Sequence, residues 1–299
     1  MKINIIQLAK DLNISYWTSG KNCQKGWVNF TCPFCGDKSN HLGFNLENNY
    51  FHCWRCGAHP IEKVLRKWTN SKNVNYLIKK YSYDYTNVNN LIHIEKINND
   101  NEIKFPIGID KINDKHKNYL LKRNFNPQEI EEKWKILGTS HFSILDNIDF
   151  KWRIIIPIFW NNEIVSYQAR SIINDYEPRY INCPSKYEKI HLKNIIYKYP
   201  TYNENKAIAV EGVFSVWRLG EAAFATFGAK FTNEQIRIIS KLFKRVLICF
   251  DNDEAGRIAA KKLQSELELR NVKTEIYFAK TDVDNPLEAQ KIIEKFVVL

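Results

Sequence analysis

The last third of the chain alternates short apolar runs with segments of helical spacing. The apolar runs are 206–210, 222–227, 246–250 and 274–279. Each run is too short for a typical helix and fits a strand buried on both faces. The segments that repeat apolar residues with helical spacing are 213–219, 232–243, 254–270 and 286–296. This alternation predicts a compact parallel sheet with right-handed crossovers.

Acidic residues follow three of these predicted strands. Glu211 follows the first, Asp251 and Asp253 follow the third, and Asp282 and Asp284 follow the fourth. Ligands of parallel sheets lie beyond the carboxyl ends of the strands, so we expect these acids at one edge. Clustered carboxylates repel unless cations share the site, and Mg²⁺ binds carboxylates, waters and substrate phosphates. Any single acid is better explained as a solvated loop residue or a helix N-cap, but three strand ends together favour a metal site.

The motifs E-G, D-N-D and D-V-D, which begin at residues 211, 251 and 282, resemble the Toprim domain. Bacterial and phage primases, topoisomerases and some nucleases share that domain. The resemblance implies that Glu211 is a general acid/base or organises the metals, and that Glu211, Asp251 and Asp253 are catalytic. It also implies that Mg²⁺ or Mn²⁺ is bound by Glu211, Asp251, Asp253, Asp282 and Asp284. The family often has an aspartate three residues after the glycine, where this chain has Ser215.

The segment before these strands resembles the basic subdomain of DnaG-type primases. The matching blocks are 119–124, 134–138, 153–158, 164–170 and 177–184. Arginine binds phosphate through two hydrogen bonds and aromatic rings stack on bases, which suits a site for nucleotide and template. By this resemblance the nucleotide- or template-binding residues are Arg153, Arg170, Arg179, Tyr180, Asn182 and Lys193. Taken singly, each arginine also fits a solvated surface position.

Four of the seven cysteines form two C-x-x-C pairs separated by seventeen residues. This spacing is typical of a structural Zn²⁺ site of four thiolates, here Cys32, Cys35, Cys53 and Cys56. Paired disulfides are a poor alternative because nothing in the sequence indicates secretion. The segment resembles the four-cysteine zinc ribbon of phage-type primases. That resemblance implies contact with single-stranded template, with Trp54 and Arg55 as the template-reading residues.

The formal net charge of +11 indicates a polyanionic partner. Charge alone fits a ribosome or a membrane surface equally well. The sequence shows no signal peptide and no apolar stretch of membrane-spanning length. We therefore expect a soluble cytoplasmic protein, in a bacterial cell or a phage-infected host, with no membrane partner.

These patterns predict a multidomain α/β protein. The domains are a zinc-ribbon template-binding domain at 1–68, a tether at 69–104, a mixed α+β basic subdomain at 105–205 and a Toprim catalytic domain with a parallel sheet at 206–299. The resemblance implies a DNA primase that makes short RNA primers from NTPs on single-stranded DNA by metal-assisted nucleotidyl transfer, with a replicative helicase as partner. The alternatives are a Toprim-type nuclease and a non-catalytic, zinc-dependent nucleic-acid-binding protein. The chain ends soon after the last predicted helix, so we expect no C-terminal helicase or helicase-binding region.

Overall fold

The computed structural model describes residues 2–20, 22–69, 74–83 and 101–298. The chain divides into two compact units. One contains Met1–Glu95, Ile236–Lys244 and Lys262–Thr274, and the other contains Lys96–Gln235, Arg245–Lys261 and Glu275–Leu299. Within the described ranges, no helix is both long and apolar enough to cross a membrane.

The N-terminal part of the first unit contains a five-stranded antiparallel sheet and a separate two-stranded one. The strands of this part are β1 (Lys2–Ile3), β2 (Tyr16–Trp17), β3 (Trp27–Phe30), β4 (Leu42–Asn45), β5 (Tyr50–Cys53), β6 (Gly57–His59) and β7 (Ser82–Tyr83). The helices are α1 (Ile5–Asp11), α2 (Ile61–Thr69) and α3 (Val74–Tyr81). Strands β2 to β6 pair in chain order, and β1 pairs with β7. Phe30, Phe44 and Phe51 are fully buried in the core of this unit, and Trp68 of α2 packs on Phe30 and Phe51.

A second antiparallel sheet forms the first part of the other unit. Its elements are β8 (Ile109–Asp110), α4 (Asp114–Lys122), α5 (Pro127–Trp134), β9 (Leu137–Thr139), β10 (Ile144–Leu145), β11 (Ile148–Asp149), β12 (Arg153–Trp160), β13 (Glu163–Ser171) and β14 (Tyr180–Asn182). The strand order is β14-β13-β12-β9-β8, and β10 pairs with β11 separately. The hairpin between β12 and β13 turns at Asn161 and Asn162, whose positive φ angles of 50° and 64° suit a tight hairpin turn.

The third sheet is the predicted parallel one. The remaining elements are β15 (Tyr197–Lys198), β16 (Lys206–Val210), α6 (Val213–Leu219), β17 (Ala223–Ala225), α7 (Asn233–Leu242), β18 (Arg245–Ile248), α8 (Glu254–Glu268), β19 (Lys273–Ile276) and α9 (Pro286–Val297). The strand order is β15-β17-β16-β18-β19, and β16 runs parallel to both β17 and β18. The buried apolar runs of β16 and β18 explain why these strands occupy the middle of the sheet.

The predicted α/β architecture is confirmed, with two differences in detail. Strand β15 pairs antiparallel with β17 at the sheet edge, and its two residues are too few for a hydrophobic pattern to reveal. Residues 74–83 form α3 and β7, and the side chains of Leu77 and Tyr81 join the core of the first unit. This stretch is therefore packed and is not a tether. Residues 70–73 and 84–100 of the predicted tether lie outside the described residues.

A buried ionic cluster holds α1 against the parts of α7 and α8 that belong to the first unit. The fully buried Asp11 carboxylate accepts hydrogen bonds from the Tyr81 hydroxyl at 2.7 Å and from Arg237 Nη2 at 3.3 Å. Arg270 donates Nε to the carbonyl oxygen of Asp11, and its Nη1 donates to Glu266 Oε2 at 2.8 Å. Charges that are buried in this way persist only while each has its partner.

We expect Asp11→Ala to destabilise the first unit by about 3–5 kcal/mol, because it leaves buried partners of the carboxylate without their acceptor. Chemical denaturation followed by circular dichroism measures this loss. Glu47→Ala removes an exposed carboxylate in a turn of the same unit, and it should change the free energy of unfolding by less than about 0.5 kcal/mol. Equal stability of the two variants would contradict the role of the cluster.

Candidate active site and zinc centre

Three strand ends bring acidic residues to one cleft in the second unit. Glu211 directly follows β16, Asp251 lies just beyond β18, and Asp282 and Asp284 lie in the loop after β19. All four carboxylates line a cleft of about 510 Å³, together with Ser215. Because β16 and β18 run parallel, their carboxyl ends share one edge of the sheet.

The main chain of Asp251 contacts the side chain of Glu211. The amide nitrogen of Asp251 donates a hydrogen bond of 3.1 Å to Glu211 Oε1. A Cβ atom at Gly256 would lie 2.0 Å from the carbonyl oxygen of Asp251 and 2.9 Å from Glu211 Oε1. The first turn of α8 can therefore pack against the strand end only because residue 256 is glycine. The sequence contains this glycine, but its steric role is visible only in the fold.

The D-N-D turn also has a structural role. Asp253 Oδ1 accepts a hydrogen bond of 2.7 Å from the amide nitrogen of Gly256, so Asp253 caps the N-terminus of α8. Asp253 is not among the residues that line the cleft, and its role as a metal ligand stays a prediction. Asn252, which the sequence did not single out, donates Nδ2 to the carbonyl oxygen of Ala279 at 2.8 Å. This bond joins the D-N-D turn to the loop that follows β19.

Burial and mutual repulsion raise the pKa of two carboxyl groups in the cleft. The pKa of Glu211 rises to about 7, first because the side chain is buried and second because Asp251 is close. Burial also raises the pKa of Asp251, and the charges of Asp282, Asp253 and Asp284 add to the shift. Such a cluster favours a cation, because a bound positive charge stabilises the ionised form of every member.

The spacing of the acids suits a hydrated metal ion. Among the described residues, only the four cysteines gather three or more candidate ligand atoms within 4.8 Å of one another. The carboxylates of the cleft are more widely spaced. Mg²⁺ keeps several water ligands and is commonly held by one or two carboxylates and by substrate phosphates. Glu211, Asp251 and Asp282 are the residues that could hold such an ion, directly or through water.

Asp284 has a basic partner inside the cleft. The Arg123 guanidinium forms an ion pair with the Asp284 carboxylate. Arg123 also lies over the Phe214 ring at 5.0 Å. The hydrogen bond to Asp284 raises the pKa of Arg123 despite its burial. Arg123 belongs to a block that resembles the primase family, but no pattern along the chain predicts that it lies beside Asp284.

Predicted nucleotide-binding residues form the opposite wall of the same cleft. The residues that line it are Gln168, Arg170, Arg179, Tyr180 and Asn182. Arg170 lies over the Tyr180 ring at 4.7 Å and donates Nε to the Tyr119 hydroxyl at 3.1 Å. A second, polar pocket of about 390 Å³ shares Arg123, Arg170 and Arg179 with the cleft. Arg123, Arg170 and Arg179 therefore line the same cleft as the carboxylates.

Two other predicted residues, Arg153 and Lys193, do not line the cleft. Arg153 is fully buried, and its Nη2 donates to the carbonyl oxygen of Pro178 at 2.9 Å. Lys193 donates Nζ to the carbonyl oxygens of Phe227 at 2.8 Å and Lys230 at 2.7 Å, and its burial lowers its pKa. Both side chains hold loops whose residues reach the cleft. Direct contact of either with nucleotide stays a prediction.

The four predicted zinc ligands meet in the first unit. The Sγ atoms of Cys32 and Cys56 are 3.6 Å apart, and those of Cys35 and Cys53 are 3.8 Å apart. Thiolates around a tetrahedral zinc ion with bonds of about 2.3 Å lie about 3.8 Å from one another. The cluster therefore has the donor set and the spacing of a structural Zn²⁺ site. His59 Nε2 lies 3.1 Å from Cys56 Sγ, where it can hydrogen-bond to that ligand.

The two predicted template-reading residues are exposed beside this cluster. Trp54 is 43% exposed and packs edge-on against Trp27 at 5.0 Å. Arg55 is exposed and forms an ion pair of 3.3 Å with the buried Asp37. The indole and the guanidinium therefore remain accessible from solvent, as a stacking or phosphate-binding role requires.

Family comparisons match two adjacent parts of the chain. Residues 64–203 match the family described as the N-terminal domain of the DNA primase catalytic core, and residues 209–287 match the Toprim-like family. By these two domains the chain belongs to the DnaG-type Toprim primases. The cleft described above lies where these two primase-family domains face each other, because Arg170 and Arg179 belong to one match and Glu211 and Asp251 to the other.

Curated relatives of this primase-family chain are DNA primases. That of Buchnera aphidicola subsp. Baizongia pistaciae is 26% identical over 317 residues, which cover 87% of this chain and 52% of the relative. That of Campylobacter jejuni is 25% identical over 77% of this chain and 45% of the relative. The Aquifex aeolicus protein is 34% identical over 38% of this chain and 24% of the relative. The chain thus spans about half the length of the first two relatives.

Solved primase structures share the fold. The zinc-binding and RNA polymerase domains of the Aquifex aeolicus primase align with a TM-score of 0.54 and 19% identity, over 100% of this chain and 85% of that chain. A DnaG primase catalytic domain bound to single-stranded DNA aligns with a TM-score of 0.51 and 21% identity, over 62% of this chain and 70% of that chain.

We expect Cys53→Ser to lose the bound zinc and to unfold the N-terminal ribbon, because a structural zinc site and its fold form together. Zinc content measured by atomic emission and limited proteolysis test this. Cys23→Ser changes a cysteine outside the cluster and should retain about one zinc ion per chain. Loss of zinc from Cys23→Ser alone would show that the ligand set is wrong.

The raised pKa of Glu211 predicts how pH affects the metal-free protein. The folded state holds the Glu211 proton up to about pH 7, whereas the ordinary pKa of this group is 4.5. The stability that this proton provides is therefore complete below pH 4.5 and is lost as pH rises towards 7. The melting temperature of zinc-loaded protein that is prepared without Mg²⁺ or Mn²⁺ should fall over this interval, and Mg²⁺ should restore it.

Glu211→Gln tests the assignment, because the amide cannot titrate. The melting temperature of this variant should lack the part of the pH dependence that comes from Glu211. Mg²⁺ should raise that melting temperature less than it does in the natural protein. If Mg²⁺ stabilises Glu211→Gln and the natural protein equally at pH 8, the metal does not bind at this edge of the sheet.

Proposed function

We propose that this chain is the catalytic core of a DNA primase that synthesises short RNA primers on single-stranded DNA. The observation that carries the proposal is the shared cleft, in which the carboxylates Glu211 and Asp251 face Arg170 and Arg179. A polymerase must bind a polyanionic nucleotide next to metal-binding acids, and this cleft supplies both kinds of group. The curated relatives described as DNA primases support the same function.

The proposed reaction joins two nucleotides. The 3′-hydroxyl oxygen of one nucleotide forms a bond to the α-phosphorus of the next, and the bond to the β-phosphate oxygen breaks to release pyrophosphate. Bound Mg²⁺ or Mn²⁺ would supply Lewis-acid stabilisation of the negative charge that develops on the phosphate. Glu211, Asp251 and Asp282 are the residues that we assign to hold it. Asp253 and Asp284 are further predicted ligands, and Asp284 is already paired with Arg123.

The side chains of the cleft have separate tasks in this proposal. Arg170 and Arg179 bind the triphosphate and fix the α-phosphorus in line with the hydroxyl. Glu211 is the candidate acceptor of the hydroxyl proton, because its carboxylate lines the cleft beside Asp251. Tyr180 provides a ring for stacking on a base, and Asn182, held by Gln168 at 2.9 Å, provides a polar contact.

We also propose that the zinc ribbon contacts the template. Trp54 is positioned to stack on a base and Arg55 to bind a phosphate, since both are exposed. Zn²⁺ has a structural role here, because all four protein ligands are cysteines and no position is left for substrate. The template is single-stranded DNA, the substrates are NTPs, and a replicative helicase remains a predicted partner.

Incorporation of labelled NTPs on random-sequence single-stranded DNA tests the function. The natural protein with Mg²⁺ or Mn²⁺ should produce short RNA, and Asp251→Asn should lower the rate by about a hundredfold or more, since it removes a charge that stabilises the transition state. Glu204→Gln is the matched control, because Glu204 is exposed and lies before β16, at the edge opposite to Glu211. This control should retain activity.

Other outcomes of the same assay point to the alternatives. Metal-dependent cleavage of the DNA without NTPs would indicate a Toprim-type nuclease. DNA binding that depends on zinc, without synthesis or cleavage, would indicate a non-catalytic binding protein. Equal rates for the natural protein and Asp251→Asn would place the catalytic metal elsewhere.

A further inference from the structure

Arg218 makes an unusual set of contacts in the last turn of α6. Its Nε donates to the carbonyl oxygen of Asp284 at 2.8 Å, its Nη1 to that of Asn124 at 2.9 Å, and its Nη2 to that of Arg123 at 2.7 Å. The flat guanidinium also lies over the Phe125 ring at 3.9 Å. One side chain therefore satisfies three main-chain carbonyls that are far from it in the sequence.

These carbonyls come from two different segments around the cleft. Arg123 and Asn124 end helix α4 of the basic subdomain, whereas Asp284 belongs to the acidic loop after β19. The planar guanidinium places its donors on three separate nitrogen atoms, so that it can reach three acceptors that lie apart, whereas all donors of a lysine lie on one atom. Arg218 thus fixes the end of α4 to the acidic loop.

The two segments carry groups that meet inside the cleft. The Arg123 side chain pairs with the Asp284 carboxylate, and both residues line the cleft, whereas Arg218 does not. Helix α6 starts two residues after Glu211 and ends next to Arg218. Helix α6 therefore links Glu211 to Arg218. Arg218 in turn bonds the main chain of Asp284, a second acid of the cleft.

We propose that Arg218 is a positioning residue for the active site. It acts through the main chain of Arg123 and Asp284, and it sets the distance between the end of α4 and the loop after β19. This inference rests on the proposed primase function for its catalytic consequence, but its effect on metal binding can be measured without turnover. Loss of Arg218 should loosen the loop that carries Asp282 and Asp284, and so weaken the cation site.

Mn²⁺ binding to the full-length, zinc-loaded protein, followed by electron paramagnetic resonance, is the primary test. Arg218→Lys keeps the charge, but its donors lie on a single nitrogen and cannot reproduce the separate bonds of Nε, Nη1 and Nη2, and we expect its Mn²⁺ affinity to fall about tenfold. In the primer assay kcat should fall by a similar factor, while KM for the DNA template stays unchanged. Arg245→Ala is the control, because Arg245 is exposed at the start of β18, at the opposite edge of the sheet.

Arg218→Ala adds a test by chemical rescue. Millimolar guanidinium ion should restore part of its Mn²⁺ affinity and kcat, and it should not improve Arg218→Lys, whose side chain still fills the space. A purely structural role predicts a lower melting temperature with unchanged Mn²⁺ affinity and no rescue, and that result would overturn the proposal. If Arg218→Ala does not fold, Arg218→Lys provides the test by itself. Mn²⁺ affinity and kcat equal to those of the natural protein in Arg218→Lys would also refute the proposal.

Failure of the two proposals can be told apart. A natural protein that binds Mn²⁺ but makes no primer refutes the primase function, and weaker Mn²⁺ binding by Arg218→Lys then still supports positioning. A natural protein that makes primers while Arg218→Lys matches it in both readouts refutes positioning alone.

Discussion

The close approach of Glu211 and Asp251 is the constraint on which the catalytic cleft depends. The Asp251 amide bonds the Glu211 carboxylate at 3.1 Å, and Gly256 leaves the space for α8 to begin beside them. Burial raises the pKa of both side chains, and neighbouring carboxylates add to each shift. The site is therefore electrostatically unfavourable without a cation, and a bound cation would relieve that cost.

The surrounding structure holds the acids and the arginines of the cleft in place through hydrogen bonds to main-chain atoms. Asn252 ties the D-N-D turn to the loop after β19, and Arg218 ties that loop to the end of α4. Arg153 and Lys193 support neighbouring loops through main-chain carbonyls. The cleft is thus assembled from segments of two domains, and polar side chains that do not line it fix its geometry.

The zinc ribbon of the first unit depends on its metal ligands for part of its stability. Its sheet is short, and coordination of zinc by four thiolates adds stability that the small hydrophobic core of such a domain lacks. Trp54 and Arg55 lie between Cys53 and Cys56, in the turn from β5 to β6, and both are exposed. The same unit contains the buried cluster around Asp11 and Arg270, which joins its N-terminal helices to parts of α7 and α8.

The sequence alone determined the parallel sheet, the acidic strand ends and the zinc ligands, because each rests on local periodicity or spacing. The strand 206–210 and the helix 213–219 were predicted with the bounds that the structure has. Only the tertiary structure decided which basic residues reach the cleft, since burial of Arg153 and exposure of Arg179 depend on contacts between distant segments. The sequence alone did not reveal the roles of Asn252, Arg218 and Gly256 either. Each of these residues lies against a main-chain atom of another segment, and no pattern along the chain identifies that partner.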